Sequence, residues 1–221
     1  MTDNWAVIPV KGLTESKTRL STYLQGDKRR ILVEALLDDV LSSIIRSKSY
    51  RTIMVVSPDE NVGSRIRSQD VSFLKQTGIG LNRAVEQANG LATLGHARSL
   101  TTVLADLPLV EPADFKELVN LGSPGRRVVM APSKKGGTNL MLTSPPGVIP
   151  PSYGRWSYSK HLRQAQAYGI NAYSMSNGRI SFDIDTMSDL VELRRLDPEA
   201  KTASGRAAEM LRQVLLPQRI R

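Results

Sequence analysis

Short apolar runs alternate along the chain with longer stretches in which apolar residues recur at helical spacing. Four of the runs are rich in β-branched and aliphatic residues, as expected of strands buried on both faces. They are Trp5–Val10, Arg51–Val56, Leu100–Ala105 and Val128–Ala131. The clearest helical stretch is Gly26–Lys48, for which we predict Asp27 as the N-cap. This order of strands and helices predicts an α/β fold with a mostly parallel sheet flanked by helices.

Weaker patterns complete the predicted order of elements. Further helices are predicted over Val62–Arg67, Ala84–Leu94, Ser157–Gly169 and residues 203–216. Two more are predicted to begin at Pro112 and at the capping box Thr186–Asp189. Further strands are predicted over Val71–Leu74, Leu140–Thr143 and Ile170–Met175. We expect Ser157 to be the N-cap of its helix. Asp183 and Asp185 alternate around Ile184, which predicts that both carboxylates project from the same face of a strand.

The composition fits a globular protein of one domain. The chain has 221 residues, of which 40% are hydrophobic and 23% charged, so it is long enough to bury a core. The absence of cysteine excludes disulfides, thiolate metal sites and a cysteine nucleophile. Neither a signal-peptide pattern nor an apolar run of membrane-spanning length is found, so we expect a soluble cytoplasmic protein without a membrane partner.

The formal net charge of +9 raises the question of a nucleic-acid partner. The lysines and arginines are scattered along the whole chain, however, and aromatic residues make up only 5% of it. Single-stranded nucleic acid is usually bound by stacking on aromatic side chains, which this chain supplies poorly. We therefore expect a basic surface with a pocket for a small polyanion, and no nucleic-acid partner.

The loop after the first strand is the strongest candidate for an anion site. It carries Lys11, Lys17 and Arg19 against a single acidic residue, Glu15. Open α/β sheets bind ligands at the carboxyl ends of their strands, which is where this loop lies. Three cations at that position suit a nucleotide triphosphate.

A glycine-containing turn precedes the helix predicted over Ala84–Leu94. Gly80, followed by Leu81 and Asn82, can let backbone amides approach a base or a phosphate. The signal is weak, because the full dinucleotide-binding glycine pattern is missing. The chain also lacks the phosphate-loop motif that ends in Gly-Lys-Ser/Thr. These absences argue against a Rossmann dehydrogenase and against a P-loop ATPase.

Three aspartates are candidates for a divalent cation. Asp106 follows the strand Leu100–Ala105, where a carboxylate either binds a metal or caps the next turn, and the residues favour neither. With Asp183 and Asp185 it could complete a carboxylate cluster for Mg²⁺, because hard cations that accompany phosphates bind carboxylate oxygens.

Two further stretches are candidates for anion binding. Residues 132–139 include Lys134 and Lys135 with two glycines, and form either an anion-binding nest or a plain hairpin turn. The added charge favours ligand contact. The helix that follows Gly154 and Arg155 offers a second anion site at its N-terminus. His161, one turn into that helix, is given no role, since such a residue is more often a packing residue.

Several short motifs occur together in one order. They are Ile8-Pro-Val-Lys11 with Lys17-x-Arg19-Leu20, Ala105-Asp106-Leu-Pro108, Gly136-Gly-Thr-Asn139, Tyr153-Gly154-x-x-Ser157 and Asp183-x-Asp185-Thr186. In this order the chain resembles the 2-phospho-L-lactate guanylyltransferase family, within the GT-A-like nucleotidyltransferases. The resemblance extends from residue 6 to about residue 190 and is specific as a set. The chain departs from the usual family pattern mainly at Gly12 and Met187, and neither is a proposed contact residue.

The resemblance implies a single-domain, Rossmann-like fold of the GT-A nucleotidyltransferase type with a small β excursion. The nucleotide would bind within residues 1–110 and the acceptor within residues 111–190, before a C-terminal helix at 203–216. The implied reaction is a Mg²⁺-dependent transfer of GMP from GTP to the phosphate of 2-phospho-L-lactate, with release of pyrophosphate. That reaction belongs to the biosynthesis of the deazaflavin coenzyme F-420. Some relatives use phosphoenolpyruvate or 3-phosphoglycerate, and relatives suggest a homodimer.

The resemblance and the phosphoryl chemistry together assign expected roles. The triphosphate and the leaving pyrophosphate are assigned to Lys11, Lys17 and Arg19. The Mg²⁺ ligands are Asp106 and Asp185, with Asp183 as a rival or helper. The base or ribose is assigned to Gly80, Leu81 and Asn82. The phosphate and carboxylate of the acceptor are assigned to Thr138, Gly154 and Ser157, with Arg155 as a further candidate. Another nucleotide and acceptor pair, a nucleic-acid binder and a noncatalytic nucleotide-binding subunit are the alternatives.

Overall fold

The computed structural model describes most of the chain. The described residues are 3–13, 16–66, 70–122, 125–197, 206–207 and 209–210. Among them, no helix is both long and apolar enough to cross a membrane.

One seven-stranded sheet forms the centre of the molecule. Its strands are β1 (Asn4–Pro9), β2 (Thr52–Ser57), β3 (Ser72–Lys75), β4 (Ser99–Val103), β5 (Arg127–Pro132), β6 (Thr138–Ser144) and β7 (Asn171–Ser174). They lie side by side in the order β3-β2-β1-β4-β6-β5-β7. Only β6 runs antiparallel to its neighbours, β4 and β5. The predicted α/β fold with a mostly parallel sheet is therefore confirmed, and the β5–β6 hairpin is the small β excursion.

Helices cover both faces of the sheet. They are α1 (Gly26–Ser47), α2 (Glu60–Ile66), α3 (Leu81–Leu94), α4 (Pro112–Leu121), α5 (Ser157–Ala167) and α6 (Met187–Leu196). On one face, α1, α2 and α4 pack on Ile8, Val55 and Val103 in the largest apolar cluster. On the other face, α3 packs on the sheet through buried alanines such as Ala88 and Ala92, whose small side chains let the helix lie close.

A separate apolar cluster brings distant loops together at the carboxyl edge of the sheet. Leu20 from the loop after β1 packs there with Leu109 from the loop after β4, and with Phe182 and Ile184. Leu36 of α1 and Leu190 of α6 complete the contact from the helical side. Asp183 and Asp185 flank the buried Ile184 in sequence, so the cluster holds the backbone that carries these two carboxylates.

Three local predictions were wrong. The cap position of α1 is Gln25, and Asp27 lies in the first helical turn, where its charge favours the helix dipole. The N-cap of α5 is Trp156, and Ser157 is the first helical residue. Residues 179–185 form turns and irregular backbone instead of a strand, because the turn at 178–181 keeps them out of the sheet. Strand alternation therefore does not set the directions of Asp183 and Asp185.

Other local predictions are confirmed. Thr186 and Asp189 form the reciprocal capping box that begins α6. Of the predicted helix at 203–216, residues 206–207 and 209–210 are helical, and the other positions lie outside the described residues. Asp39 of α1 accepts hydrogen bonds from the backbone N–H groups of Arg206 and Ala207, both at 3.0 Å. These bonds attach the C-terminal segment to α1.

Phe115→Ala should lower the free energy of unfolding by about 3 kcal/mol, because it opens a cavity in the core. The Phe115 side chain is fully buried, and its ring meets Tyr50 edge to face at 6.2 Å. Urea unfolding measures the change. Leu94→Ala, at a position that is 77% exposed, is the control and should change stability by less than ~0.5 kcal/mol. A loss at Phe115 no larger than that of the control would contradict this account of the core.

Candidate active site

Lys17 lies at the centre of the candidate site. Its backbone is left-handed (φ 57°), and it immediately precedes a 3-10 turn at Thr18–Leu20, which directs the side chain inward. Its Nζ donates to Asp106 Oδ2 at 2.6 Å, to Asp185 Oδ1 at 3.3 Å and to the carbonyl oxygen of Ile184. Burial lowers the pKa of Lys17, but the two carboxylates outweigh that effect, so the pKa is raised and the amine is charged. One buried cation thus joins two carboxylates that are 79 residues apart in sequence.

Asp106 is held by its backbone just after β4. Its carbonyl oxygen accepts a hydrogen bond from Ile184 N at 3.1 Å, which joins the loop after β4 to residues 182–185. Its Oδ1 atom is buried and has no hydrogen-bond partner among the described residues. A buried carboxylate oxygen without a partner is costly unless a ligand or ion satisfies it. This orphaned atom therefore indicates where a further cation would bind.

Asp183 and Asp185 have different surroundings. Burial raises the pKa of Asp183 to about 6, and the negative charges of Asp106 and Asp185 add to the effect. Asp185 is paired with Lys17, and it also lies 3.5 Å from the Arg19 guanidinium and 3.7 Å from the Lys135 ammonium. Asp185 and Asp106 thus share one cation, as two ligands of one metal ion would, which makes Asp185 a better candidate ligand than Asp183.

The residues fit a divalent cation bound partly by phosphate. Within the described ranges, no group of three or more acidic, histidine or cysteine side chains is arranged to hold a metal ion alone. Asp106 and Asp185 nevertheless converge on one cationic atom, and Asp106 offers an unpaired oxygen. Hard cations commonly take one or two carboxylates and complete their coordination with substrate phosphates and water. The Mg²⁺ assignment of these aspartates stays a prediction.

The other loop cations are less constrained than Lys17. Lys11 is exposed at the end of β1, and the Arg19 side chain is 72% exposed. Both lie on the same loop as Lys17, and Arg19 lies 3.5 Å from Asp185. Glu15 lies outside the described residues. The phosphate-binding roles of Lys11, Lys17 and Arg19 stay predictions.

The start of α3 holds a neighbouring loop. Gly80 has φ 94° and is the N-cap, so Leu81 and Asn82 occupy the first helical turn. The Asn82 side chain accepts from Tyr153 N at 2.7 Å and donates to Tyr153 O at 3.4 Å. Asn82 therefore positions the backbone next to Gly154, which sequence reasoning did not foresee. Contact of Gly80, Leu81 and Asn82 with a base or ribose stays a prediction.

Thr138, Ser157 and His161 form one buried hydrogen-bond network. Ser157 Oγ donates to Thr138 Oγ1 at 3.1 Å, and Thr138 Oγ1 is also 3.1 Å from His161 Nδ1. His161 Nε2 accepts from Ser152 N at 2.8 Å, so the neutral ring carries its proton on Nδ1 and donates it to Thr138. Burial lowers the pKa of His161 to about 4, which keeps the ring neutral. The network joins Thr138 and Ser157, two residues predicted to bind the acceptor substrate, to a histidine that was given no role from the sequence.

The turn beside this network is shaped by glycine. Gly136 has φ 78°, and a Cβ there would lie 2.7 Å from the Trp156 ring, so only glycine fits. Gly154 also has positive φ (118°) but faces open space. The Arg155 guanidinium lies over the half-exposed Trp156 ring at 5.7 Å. Contact of Gly154, Ser157 and Arg155 with the acceptor substrate stays a prediction.

Residues 133–137 form the connection of the β5–β6 hairpin, one of the two predicted alternatives. Lys135 extends from it to Asp189 at 3.0 Å and to Asp185 at 3.7 Å. Lys134 instead pairs with Glu192 at 2.9 Å. Lys135 therefore adds a half-exposed cation beside the carboxylates, opposite the loop that carries Lys17.

A cleft also opens between α1 and α2, away from the carboxylates. The backbone of Gly12 and Leu13 forms one wall, and Glu34 and Asp59 lie on the others. None of Asp106, Asp183 and Asp185 lines this cleft, and we assign it no ligand.

Comparison with known proteins identifies the family. The family model described as "Guanylyl transferase CofC like" matches residues 4–214. The chain belongs to this family. It is 36% identical over 190 residues to a phosphoenolpyruvate guanylyltransferase of Rubrobacter xylanophilus, covering 86% of this chain and 92% of that protein. It is 31% identical over 188 residues to a 2-phospho-L-lactate guanylyltransferase of Methanocaldococcus jannaschii, covering 85% of this chain and 80% of that protein. The resemblance seen in the motifs is thereby confirmed.

Solved structures support the fold. A nucleotidyl transferase of Methanothermobacter thermautotrophicus superposes with a TM-score of 0.63 at 15% identity, covering 87% of this chain and 96% of that one. A Desulfovibrio desulfuricans protein named for the nucleotide-diphospho-sugar transferases gives a TM-score of 0.79 at 16% identity, covering 97% and 99%. At these identities the likeness concerns the fold alone, and the GT-A-type nucleotidyltransferase architecture predicted for this guanylyl transferase family member is confirmed.

Asp183→Asn should stabilise the metal-free protein above pH 6 and have no effect near pH 4. The folded-state pKa of Asp183 is raised from 3.8 to about 6, so the folded protein binds the extra proton between these values and loses stability as pH rises through them. The gain at pH 7.5 should be about 1 kcal/mol, a small value because Asp183 is partly exposed. Unfolding in EDTA at pH 4 and pH 7.5 measures it.

The exposed Asp70 supplies the control as Asp70→Asn, which should show no such pH dependence. Equal stability of Asp183→Asn and the unchanged protein at both pH values would contradict the raised pKa of Asp183.

Proposed function

We propose that this protein transfers GMP from GTP to the phosphate of a phosphorylated three-carbon acid and releases pyrophosphate. The observation that carries the proposal is the buried Lys17 ammonium held between Asp106 and Asp185. It joins the loop expected to bind triphosphate to the carboxylates expected to bind metal. Membership of the guanylyl transferase family supplies the reaction class.

The chemistry requires positioning and charge neutralisation more than a protein nucleophile. The acceptor phosphate oxygen attacks the α-phosphorus of GTP, and the bond from that phosphorus to the bridging oxygen of the pyrophosphate breaks. A bound Mg²⁺ would neutralise the phosphate oxygens and hold both reactants in line. Lys17, already close to Asp106 and Asp185, would stabilise the negative charge that develops on the leaving pyrophosphate.

The two sides of the site carry different kinds of groups. On the nucleotide side, Lys11 and Arg19 are exposed and available to phosphates. On the acceptor side, Thr138 and Ser157 lie in a neutral, buried network, and the Lys135 ammonium lies 3.7 Å from Asp185. This division supports binding of GTP by the loop after β1, and binding of a small acid between the hairpin connection and the start of α5.

Two acceptors are supported by different relatives. The sequence motifs led to 2-phospho-L-lactate, the acceptor named for relatives at 30–32% identity. Relatives at 33–36% identity are named for phosphoenolpyruvate, and we therefore take phosphoenolpyruvate as the second candidate acceptor. The acids differ in geometry at C2, which is planar in phosphoenolpyruvate and tetrahedral in 2-phospho-L-lactate. In either case the guanylylated product would serve biosynthesis of coenzyme F-420.

Purified protein should release pyrophosphate only when GTP, Mg²⁺ and one of these acids are all present. A coupled pyrophosphate assay with 2-phospho-L-lactate, phosphoenolpyruvate and 3-phosphoglycerate, each repeated with ATP and CTP, measures the preference. Because the discriminating group sits at C2, we expect one acid to exceed the others by about ten-fold in kcat/KM. If protein that still binds GTP releases no pyrophosphate with any nucleotide and acid pair, the transferase assignment is excluded for these acceptors.

Asp106→Asn should lower kcat by at least about 100-fold, because it removes a metal-binding charge and the partner of Lys17. The same assay at saturating GTP measures the loss, and circular dichroism shows whether the fold persists. Asp70→Asn, on the surface, is the matched charge-removing control. Activity in Asp106→Asn equal to that control would remove Asp106 from the metal site.

A further inference from the structure

Residues 177–185, which we call the carboxylate segment, carry Asp183 and Asp185 but contain no helix or strand. A backbone outside regular structure has no ladder of hydrogen bonds to fix it, so other contacts must set the positions of its side chains. A displacement of about 1 Å at a catalytic carboxylate is enough to cost activity. The contacts that hold this segment therefore bear on the reaction.

The first of these contacts is an ion pair between the partly exposed Arg179 and a buried aspartate of α4. Asp114 is 1% exposed, and its carboxylate accepts from Arg179 Nη2 at 2.7 Å and from Arg179 Nε at 3.2 Å. Asn177 Nδ2 donates to the same carboxylate at 2.8 Å, and Asn177 Oδ1 accepts from the backbone of Arg179 and Ile180. The two-pronged Arg179 contact fixes direction as well as distance. The start of the carboxylate segment is thus tied to one buried charge.

The second contact comes from β6. Asn139 is 2% exposed, and its Nδ2 donates to the carbonyl oxygen of Ile180 at 2.9 Å. Asn139 ends the Gly136-Gly-Thr-Asn139 motif, so this motif residue binds the carboxylate segment. Further along, Ile184 N donates to Asp106 O at 3.1 Å. The segment is therefore anchored before, and between, its two carboxylates.

Asp114 also reaches back to the other half of the metal site. Its Oδ2 atom accepts from Glu111 N at 2.8 Å in the capping box of α4. Glu111 lies five residues after Asp106, at the end of the short loop that leaves β4. One buried carboxylate thus binds both the loop that follows Asp106 and the segment that carries Asp185.

We propose that the Asp114–Arg179 ion pair is a positioning device that sets Asp185 against Asp106 at the distance needed to share one divalent cation. Among the described contacts, Arg179 pairs with neither Asp106 nor Asp185, so it would act on them through the backbone of the carboxylate segment. The proposal rests on the proposed function for its chemistry. Its geometry concerns metal binding alone, which can be measured without nucleotide or acceptor.

The test is Mn²⁺ binding, followed by electron paramagnetic resonance, to the full-length protein without nucleotide. Arg179→Met should weaken Mn²⁺ binding by about ten-fold, as loss of an outer partner of metal ligands commonly does. Arg179→Lys keeps the positive charge but cannot make the two-pronged contact with Asp114, so it should recover only part of the lost Mn²⁺ affinity. At saturating Mn²⁺ the kcat of Arg179→Met should return towards that of the unchanged protein.

Arg65→Met is the matched control. Arg65 pairs with the buried Asp38 at 2.6 Å and with Glu34 at 3.2 Å, as Arg179 pairs with the buried Asp114 and with Glu111. It lies on α2 and has no contact with the carboxylate segment among the described residues. Arg65→Met should lower thermal stability by a similar amount and leave Mn²⁺ affinity unchanged.

Amide hydrogen exchange gives a second readout that does not depend on metal. Exchange at Ile184 and Asp185 should accelerate in Arg179→Met and not in Arg65→Met. Unchanged Mn²⁺ affinity and unchanged exchange at these amides in Arg179→Met would overturn the proposal. An Asp106→Asn variant that binds Mn²⁺ as tightly as the unchanged protein would also overturn it. Metal binding that follows these expectations in a protein inactive with GTP would instead count against the proposed function alone.

Discussion

The site depends on the hydrogen bonds and ion pairs of the Lys17 ammonium with Asp106 and Asp185. Two ionised carboxylates near each other repel, and burial increases that repulsion, so they come together only if a cation lies between them or one of them takes up a proton. Lys17 supplies that cation from a loop next to the first strand of the sheet. Its left-handed backbone and the turn that follows aim the side chain inward. The apolar residues Leu20, Phe182 and Ile184, which are close in sequence to Lys17 and Asp185, pack together in a buried cluster and hold the backbone of both segments.

Electrostatics differ across the site for a physical reason. Around Lys17 and Asp185 the groups are charged, as suits a polyanionic nucleotide whose charge must be offset. Around Thr138 the groups are neutral, because burial keeps His161 uncharged and both of its ring nitrogens are used. A small acid bound there would be recognised by shape and hydrogen bonds, while charge is supplied from the side by Lys135.

The sequence predicted those features that depend on nearby residues. The apolar run Trp5–Val10, the α1 periodicity and the capping box at Thr186 are local patterns, and each corresponds to an element of the structure. The strand predicted at 179–185 was wrong because alternation of Asp183, Ile184 and Asp185 also occurs in irregular backbone held by side chains. The anchors of that segment, Asn139, Asp114 and Asp106, lie 41, 63 and 78 residues away in sequence from Ile180, Asn177 and Ile184, so no local pattern could reveal them.

The single antiparallel strand has a topological consequence. In a wholly parallel sheet, only the ends of strands reach the carboxyl edge, and every crossover must return across a face. Since β6 runs the other way, its first residues and the β5–β6 connection lie at that edge beside the end of β4. The hairpin connection leads directly into β6 and not into a crossover helix, and its composition is constrained at Gly136 by the Trp156 ring. The connection and the loop after β1 therefore reach one edge of the sheet from separate parts of the chain, so a change in one need not alter the backbone of the other.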